Sequence, residues 1–452
     1  MPTTSLSGFP ELLPSERFVE LAVLDRLRTT FELHGFAPLE ARSVEPLQEM
    51  LRKGEIDKEV YTLRRLHADP DEPTSEHALG LHFDLTVPFA RYVLDNAGHL
   101  EFPFRRYQIQ KVWRGERPQT GRYREFTQAD IDVVAKDELA FHHDVEVARV
   151  MAEALAALEF LPPLRLQVNN RKVLEGFIRG LEIDDVVPVM RTIDKFEKVD
   201  PETVVQLLVD EAELSRAQAK ACRELAGIRS TDTSFVDQVR ALGVKHETLD
   251  VGLAELAAVI EGCAAITDDR ITVEADLSIA RGLDYYTGTV FETRMSGWES
   301  LGSICSGGRY DSLASDGKTT YPGVGISLGV TRLLMPLFAQ GFLAGSRPVP
   351  SAVLVALPSE DERATCDQVA QVLRARGIAT EVAASAQKYG KQIRYAERRG
   401  IPFVWFPATD PSGGGHEVKD IRSGDQVAAD PATWTPPQTD LRPQVIVEGT
   451  NS

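Results

Sequence analysis

The chain has 452 residues, room for about two or three domains, with 43% hydrophobic and 26% charged residues and a formal charge of −18. Such proportions suit a soluble globular protein. The acidic balance excludes a coat that holds nucleic acid by charge alone, though it leaves room for a local basic groove. No apolar run reaches the ~18 residues of a membrane span, and Cys222, Cys263, Cys305 and Cys366 are too scattered for a metal-binding pair or a disulfide framework. The N-terminus lacks a basic region followed by an apolar core, and Glu11 and Glu16 argue against a transit peptide. A reduced, cytoplasmic protein is expected.

In chain order, Gly8, Pro10 and Pro14 open a loop, and Phe18, Leu21, Leu24, Leu27 and Phe31 then recur at helical spacing. A strand around residues 36–44 leads to a helix from Pro46, and the turn-forming, acidic residues 67–77 predict a mobile loop. In LHFDLTVPFARYVLD (81–95), Leu81, Phe83 and Leu85 alternate with His82, Asp84 and Thr86, which predicts a strand ending at Pro88, where a helix starts.

Residues 104–132, FRRYQIQKVWRGERPQTGRYREFTQADID, predict two antiparallel strands joined by a long basic loop. On the second strand Phe126, Gln128, Asp130 and Asp132 share one parity, while Thr127, Ala129, Ile131 and Val133 share the other. Alternation therefore places an amide and two carboxylates on one face of the sheet, against an apolar backing. That face suits a small cationic ligand. The connection from Gly115 to Tyr123 exceeds the usual two to five residues of a hairpin loop, and it carries Glu116, Arg117 and Arg122, with Arg124 just beyond. Arginines above carboxylates make a site for an anion and a cation together.

A helix is expected over 137–161 and a helical insertion over 176–265, after which strand-like sequence resumes at Ile271. ARGLDYYTG (280–288) sets Arg281 before a glycine and a tyrosine pair, and SGGRYD (306–311) sets two glycines where an approaching ligand would exclude a Cβ. GVGISLGVTRLL (323–334) reads as a strand running into a helix with Arg332 in its first turn, a ready phosphate site. A linker over 345–351 precedes alternating strands and helices, which predict a compact α/β domain. Within it, KYGKQIRYAERRG (388–400) gathers Lys388, Lys391, Arg394, Arg398 and Arg399 on a helix, a concentration that favours phosphate-backbone contact in so acidic a chain. The tail after Trp434 is expected to be irregular.

In this order the motifs resemble those of the histidyl-tRNA synthetases, a family of class II aminoacyl-tRNA synthetases, over nearly the whole chain. The 104–132 hairpin resembles class II motif 2, residues 322–334 resemble motif 3, and 280–288 and 306–311 resemble the two histidine signatures. The resemblance implies an α+β fold: a class II antiparallel sheet flanked by helices, with a helical insertion and a C-terminal α/β anticodon-binding domain. The implied boundaries are a catalytic domain over 1–175 and 266–345, the insertion over 176–265, the anticodon-binding domain over 350–435 and an irregular tail over 436–452. It also implies the ligands: ATP with Mg2+ and no zinc, L-histidine and tRNA(His), handled by a homodimer away from membranes.

Carried over residue by residue, the resemblance puts Arg114 at the α-phosphate, Glu116 on the adenine side with Arg122 in the ATP site, and Arg332 at the far end of the triphosphate. Arg281 would sit by the α-phosphate and the histidine carboxylate. Asp84, Thr86 and Gln128 would hold the amino and carboxylate groups, Asp132 and Tyr286 would read the imidazole, and Tyr285 and Tyr310 would wall the pocket. Lys388, Lys391 and Arg394 would bind tRNA. No metal site fixed by protein side chains alone is implied. Arg42 stands where the family's motif 1 has proline, and Thr331 where many members have an acid. The competing reading is a non-catalytic relative that senses histidine, the regulatory subunit of ATP phosphoribosyltransferase.

Overall fold

The computed structural model describes residues 6–51, 59–67, 78–196, 199–280, 282, 285–408 and 415–448. Arg281 and, apart from His67, the expected 67–77 loop lie outside the described residues. The chain forms two compact units, Met1–Pro10 with Leu24–Pro336, and Glu11–Val23 with Leu337–Ser452.

The N-terminal part runs through α1 (Pro14–Leu33), β1 (Ala37–Pro38), β2 (Val44–Pro46), α2 (Leu47–Leu51), β3 (Thr62–Leu63), β4 (Leu79–Leu81) and α3 (Thr86–Asn96). The hairpin is β5 (Phe104–Trp113) and β6 (Glu125–Val134), followed by α4 (His142–Ala156) and β7 (Leu164–Asn170). Next come α5 (Arg171–Gly180), α6 (Val186–Ile193), α7 (Pro201–Asp210), α8 (Arg216–Ala226), β8 (Arg229–Ser230), α9 (Phe235–Ala241) and α10 (Glu247–Cys263). The sheet resumes with β9 (Ile271–Asp276), β10 (Thr289–Met295), β11 (Cys305–Ser315) and β12 (Thr320–Gly329), and α11 (Val330–Ala339) follows directly.

Among the described residues, nine strands form one sheet in the order β1-β5-β6-β12-β11-β10-β7-β9-β8. It is antiparallel except where β1 meets β5 and β7 meets β9. Ala129, Ile131 and Val133 of β6 are fully buried, as the alternation predicts, and α4, whose Val147, Val150 and Met151 are fully buried, packs on β6, β12 and α10. Burying each such side chain contributes roughly 1.5–3 kcal/mol.

The segment between β7 and β9 is largely helical. Its helices α5 and α10 touch backbone to backbone: a Cβ on Gly176 would stand 2.2 Å from Leu249 N, and one on Gly252 would stand 2.5 Å from Val173 N. That segment also supplies β8, whose Arg229 pairs in register with Asp276 of β9.

The second unit holds β13 (Leu343–Gly345), β14 (Val353–Val355), α12 (Arg363–Ala375), β15 (Thr380–Val382), α13 (Tyr389–Arg398), β16 (Phe403–Phe406), β17 (Glu417–Asp420), β18 (Gln426–Ala428) and β19 (Val445–Val447). Its mixed sheet runs β15-β14-β16-β17-β18, parallel at β14 and antiparallel beyond β16, around buried Leu354, Val355 and Trp405.

Three local expectations change. The buried stripe of α1 is Val19, Val23, Leu27 and Phe31, and Leu21 is exposed, because an i, i+4 row rather than the earlier mixture of spacings faces inward. The strand expected over 81–86 stops at Leu81, since Asp84 Oδ1 accepts the Val87 N–H (3.0 Å) and starts α3 at Thr86. The tail is not wholly irregular: β19 pairs with β13, and the Asp440 carbonyl accepts from buried Arg347 (2.8 Å) of the expected linker.

Candidate active site

The polar face of the sheet is organised by register into three rungs. Arg106 of β5 lies opposite Asp132 of β6, which lies opposite Gly325 of β12 and, beyond it, Gly308 of β11. The middle rung runs Gln108, Asp130, Ser327, Ser306, and the third runs Gln110, Gln128, Gly329. Side-chain parity keeps all of these on one face.

Over the third rung opens a cleft of about 390 Å³ lined by Arg114, Glu116, Arg122, Phe126, Gln128 and Arg332, with Ser306 and Ser327 at its inner end. Arg114 is anchored by donating from Nε to the Phe83 carbonyl (3.0 Å), and its guanidinium lies 5.1 Å from the Phe126 ring centroid. Glu116 sits between Arg114 (3.8 Å) and Arg122 (3.6 Å). Arg332 is the third residue of α11, as expected, and donates to the Leu301 carbonyl. The departure at Thr331 has a structural role, since its Oγ1 accepts the Thr127 N–H (2.8 Å) and pins the start of α11 to β6.

Over the first and middle rungs lies a second, narrow pocket of about 20 Å³, lined by Thr86, Asp130, Asp132, Tyr285, Tyr286 and Tyr310. It shares Ser306 and Ser327 with the cleft, so the two are neighbours. Asp132 is held by Arg106 Nη2 (2.7 Å) and by the Tyr310 hydroxyl (2.8 Å). Burial holds the Tyr286 and Tyr310 phenols well above their ordinary range, so both remain donors at neutral pH. Gln128 Nε2 donates to Ser327 Oγ (2.9 Å), and Ser327 in turn hydrogen-bonds Asp130.

The two glycines of 306–311 serve the protein's own packing rather than a ligand's approach. A Cβ on Gly307 would stand 2.1 Å from Gly325 O, and one on Gly308 would stand 2.7 Å from the Tyr286 ring. Asp84 is buried and caps α3 as described, and it lines neither cavity. Alternation puts Asp130 on the polar face, while Arg106 and Ser327 are not singled out by the sequence as site members. Arg106 gains its role from register across the hairpin, opposite Asp132, and Ser327 from register with a strand almost 200 residues away, opposite Asp130. Among the described residues no three His, Cys, Asp or Glu side chains are grouped to hold a metal ion.

In the second unit, Lys391 and Arg394 line a groove of about 500 Å³ together with Arg398, Tyr395, Gln387 and Ser385. Lys388 is exposed at the start of α13, outside that lining. Arg399 instead turns to Glu381 (3.1 Å). Gln392 is a buried anchor of the helix, exchanging hydrogen bonds with the Leu357 backbone (2.9 Å each way), and Ile393 packs against the same core.

A family model described as histidyl-tRNA synthetase matches residues 8–333, and one described as an anticodon binding domain matches residues 352–428. Histidine–tRNA ligases of Cutibacterium acnes and Micrococcus luteus are each 59% identical to the chain, with 98% of both sequences covered in each case. The crystal structure of histidyl-tRNA synthetase from Nostoc sp. PCC 7120 is 34% identical, with a TM-score of 0.83, and covers 94% of this chain and 96% of its own. An ATP phosphoribosyltransferase regulatory subunit/histidyl-tRNA synthetase structure from Bacillus halodurans C, at 19% identity and TM-score 0.71, shares the fold over 87% of this chain and 97% of its own.

Proposed function

Because the chain belongs to the histidyl-tRNA synthetase family, we propose that it builds histidyl adenylate across the two adjoining cavities, with ATP in the arginine-lined cleft and histidine in the acidic pocket. The activity is that of a histidine–tRNA ligase, an aminoacyl-tRNA ligase. The observation that carries the residue assignment is the shared Ser306–Ser327 boundary, which lets one molecule reach from a guanidinium cluster to a buried carboxylate.

In the first step a carboxylate oxygen of histidine attacks the α-phosphorus of ATP, the bond to the bridging oxygen breaks, and pyrophosphate leaves with its electron pair. Charge accumulates on the phosphate oxygens, so cations already in place lower the barrier most. Arg114 takes the α-phosphate and Arg332 the far end of the triphosphate, with Arg122 and Glu116 at the nucleotide. The Phe126 ring offers a face to the base. Arg281 keeps the role the family assigns it, beside the α-phosphate.

The acidic pocket has room for roughly one water, so it widens when an imidazole enters. Asp132, oriented by Arg106 and Tyr310, and Tyr286 then face the ring, with Tyr285 beside them, while Thr86 and Gln128 hold the amino and carboxylate groups and Asp84 positions Thr86 by fixing the start of α3. A ring bound by buried donors and acceptors rejects analogues lacking them by ~10⁴–10⁵. Mg2+ would arrive on the triphosphate and neutralise phosphate charge. Glu59 and Glu116 on the cleft are hard oxygen donors of the kind it takes.

In the second step the terminal ribose hydroxyl of tRNA attacks the adenylate. Lys388, Lys391 and Arg394 would meet that tRNA. We propose that the chain acts in the cytoplasm as a homodimer. The reading is supported by four unpaired, buried cysteines and by Leu63 and Leu79, exposed and paired in register between β3 and β4 of the small sheet that β2 completes. Arg42 joins Glu45 of β2 (2.9 Å) in that region. No helix among the described residues is long and apolar enough to cross a membrane.

The division of labour is testable in one protein. Lys391→Ala with Arg394→Ala lowers histidine charging of tRNA by about tenfold at moderate salt, from two lost phosphate contacts. Histidine-dependent pyrophosphate exchange stays at the wild-type rate. Parallel loss of both activities would contradict the assignment.

A further inference from the structure

The first rung ends at the pocket that would take an imidazole, and the third opens on the cleft that would take phosphate. A histidine lying between them sets its Cα, and therefore its ammonium, over the middle rung. That rung holds two buried acceptor oxygens with no hydrogen-bond partner, Asp130 Oδ1 and Gln108 Oε1, and Gln128 Oε1 on the next rung is a third. Asp130 is 2% exposed and lines the pocket. Buried acceptors without donors are costly, and an ammonium brings three donors and no acceptor. The other two acids have work in the fold: Asp84 caps α3, and Asp132 receives Arg106 and Tyr310.

We propose that Asp130 is a further substrate-binding residue, whose unpartnered oxygen takes the α-ammonium of histidine and gives up a proton as it does so. The proposal rests on the reading of the pocket as the histidine site and adds to the residues the family resemblance assigns. Without ligand, burial pushes the Asp130 carboxyl up to about 7. Asp132 on its own strand and Asp84 before α3 push the same way, while Arg106 on β5 and the Ser327 hydroxyl on β12 pull it down. Tyr310 and Cys305 of β11 lie within its electrostatic reach, both held protonated by burial. Below about pH 7 the empty site holds the proton, so an arriving ammonium must displace it. Above that pH the carboxylate is already formed and no proton leaves.

The test is calorimetric binding to the full-length protein of histidine and of imidazolelactate, which carries a hydroxyl in place of the ammonium, for wild type and Asp130→Asn. Two buffers of different ionisation enthalpy report proton release. The ammonium lowers the imidazole pKa of histidine relative to that of imidazolelactate, so each ligand is referred to its own binding by D130N under the same conditions. The expected result is a loss of roughly 10–100-fold for histidine, the effect of one charged hydrogen bond, with less than about threefold for imidazolelactate. Wild type at pH 6.5 releases up to one proton per histidine beyond that released when D130N binds histidine, and no such excess appears with imidazolelactate. The histidine affinity of wild type, taken relative to that of D130N at the same pH, falls about tenfold per pH unit below 7.

Equal losses for both ligands, or wild-type binding without this excess proton release, would overturn the proposal alone. Wild-type protein that binds neither ligand and exchanges no pyrophosphate would overturn the parent reading and this one with it. Retained imidazolelactate binding shows that the variant is folded.

Discussion

Alanine in place of Arg114 lowers histidine-dependent exchange of pyrophosphate into ATP by about 10²–10³-fold, the usual cost of one preorganised contact to a developing anion. The side chain is built to hold still. Its Nε is spent on the Phe83 carbonyl and its plane lies by Phe126, which leaves the Nη groups near Glu116 at the cleft. Because the contact strengthens as charge accumulates on phosphorus, the loss falls mainly on kcat rather than on KM. Lysine recovers only part of the rate, since a point charge does not reproduce the planar fork. Circular dichroism of the variant matches wild type, because Arg114 lies at the end of β5 and outside the apolar core. A loss below tenfold would show that another cation holds the α-phosphate.

Replacing Arg106 by methionine destabilises the catalytic unit by about 3–5 kcal/mol, the cost of stripping one partner from a buried ion pair. Arg106 is fully buried, stacked 4.4 Å from the Phe89 ring centroid, and donates to Asp132 from Nη2 (2.7 Å). Without it, Asp132 keeps the Tyr310 hydroxyl and loses its counter-charge in a pocket with almost no water. Denaturant unfolding measures the loss. Adding Asp132→Leu to Arg106→Met removes the stranded charge and restores much of the stability, but not histidine binding. A single Arg106→Met variant as stable as wild type would contradict the paired-charge account of the first rung.

Much of this site is legible in the sequence, because alternation is a local signal. The even-numbered polar residues of 104–132, the apolar backing at Ala129, Ile131 and Val133, and the placement of Arg332 in the first turn of α11 all follow from spacing. Register is not local. Nothing near Asp130 announces that Ser327 will lie beside it, or that Gly325 must lack a Cβ because one would stand 2.1 Å from Asp132 Oδ1. Asp84 illustrates a competition between two local signals. Its alternation favours a strand, and its side chain prefers to cap the Val87 amide, which wins because the cap starts a helix with a buried face. Gly307 and Gly308 misled for the opposite reason: the demand for a missing Cβ was real, and its source was the neighbouring strand and Tyr286.

The central claim is that cations in the cleft and acids in the pocket act on one substrate pair. Exchange of labelled pyrophosphate into ATP by the purified full-length protein, measured without tRNA, tests it most directly. The account predicts exchange that requires histidine and is lost in Arg114→Ala. Folded protein that binds histidine or tRNA and exchanges nothing would contradict it.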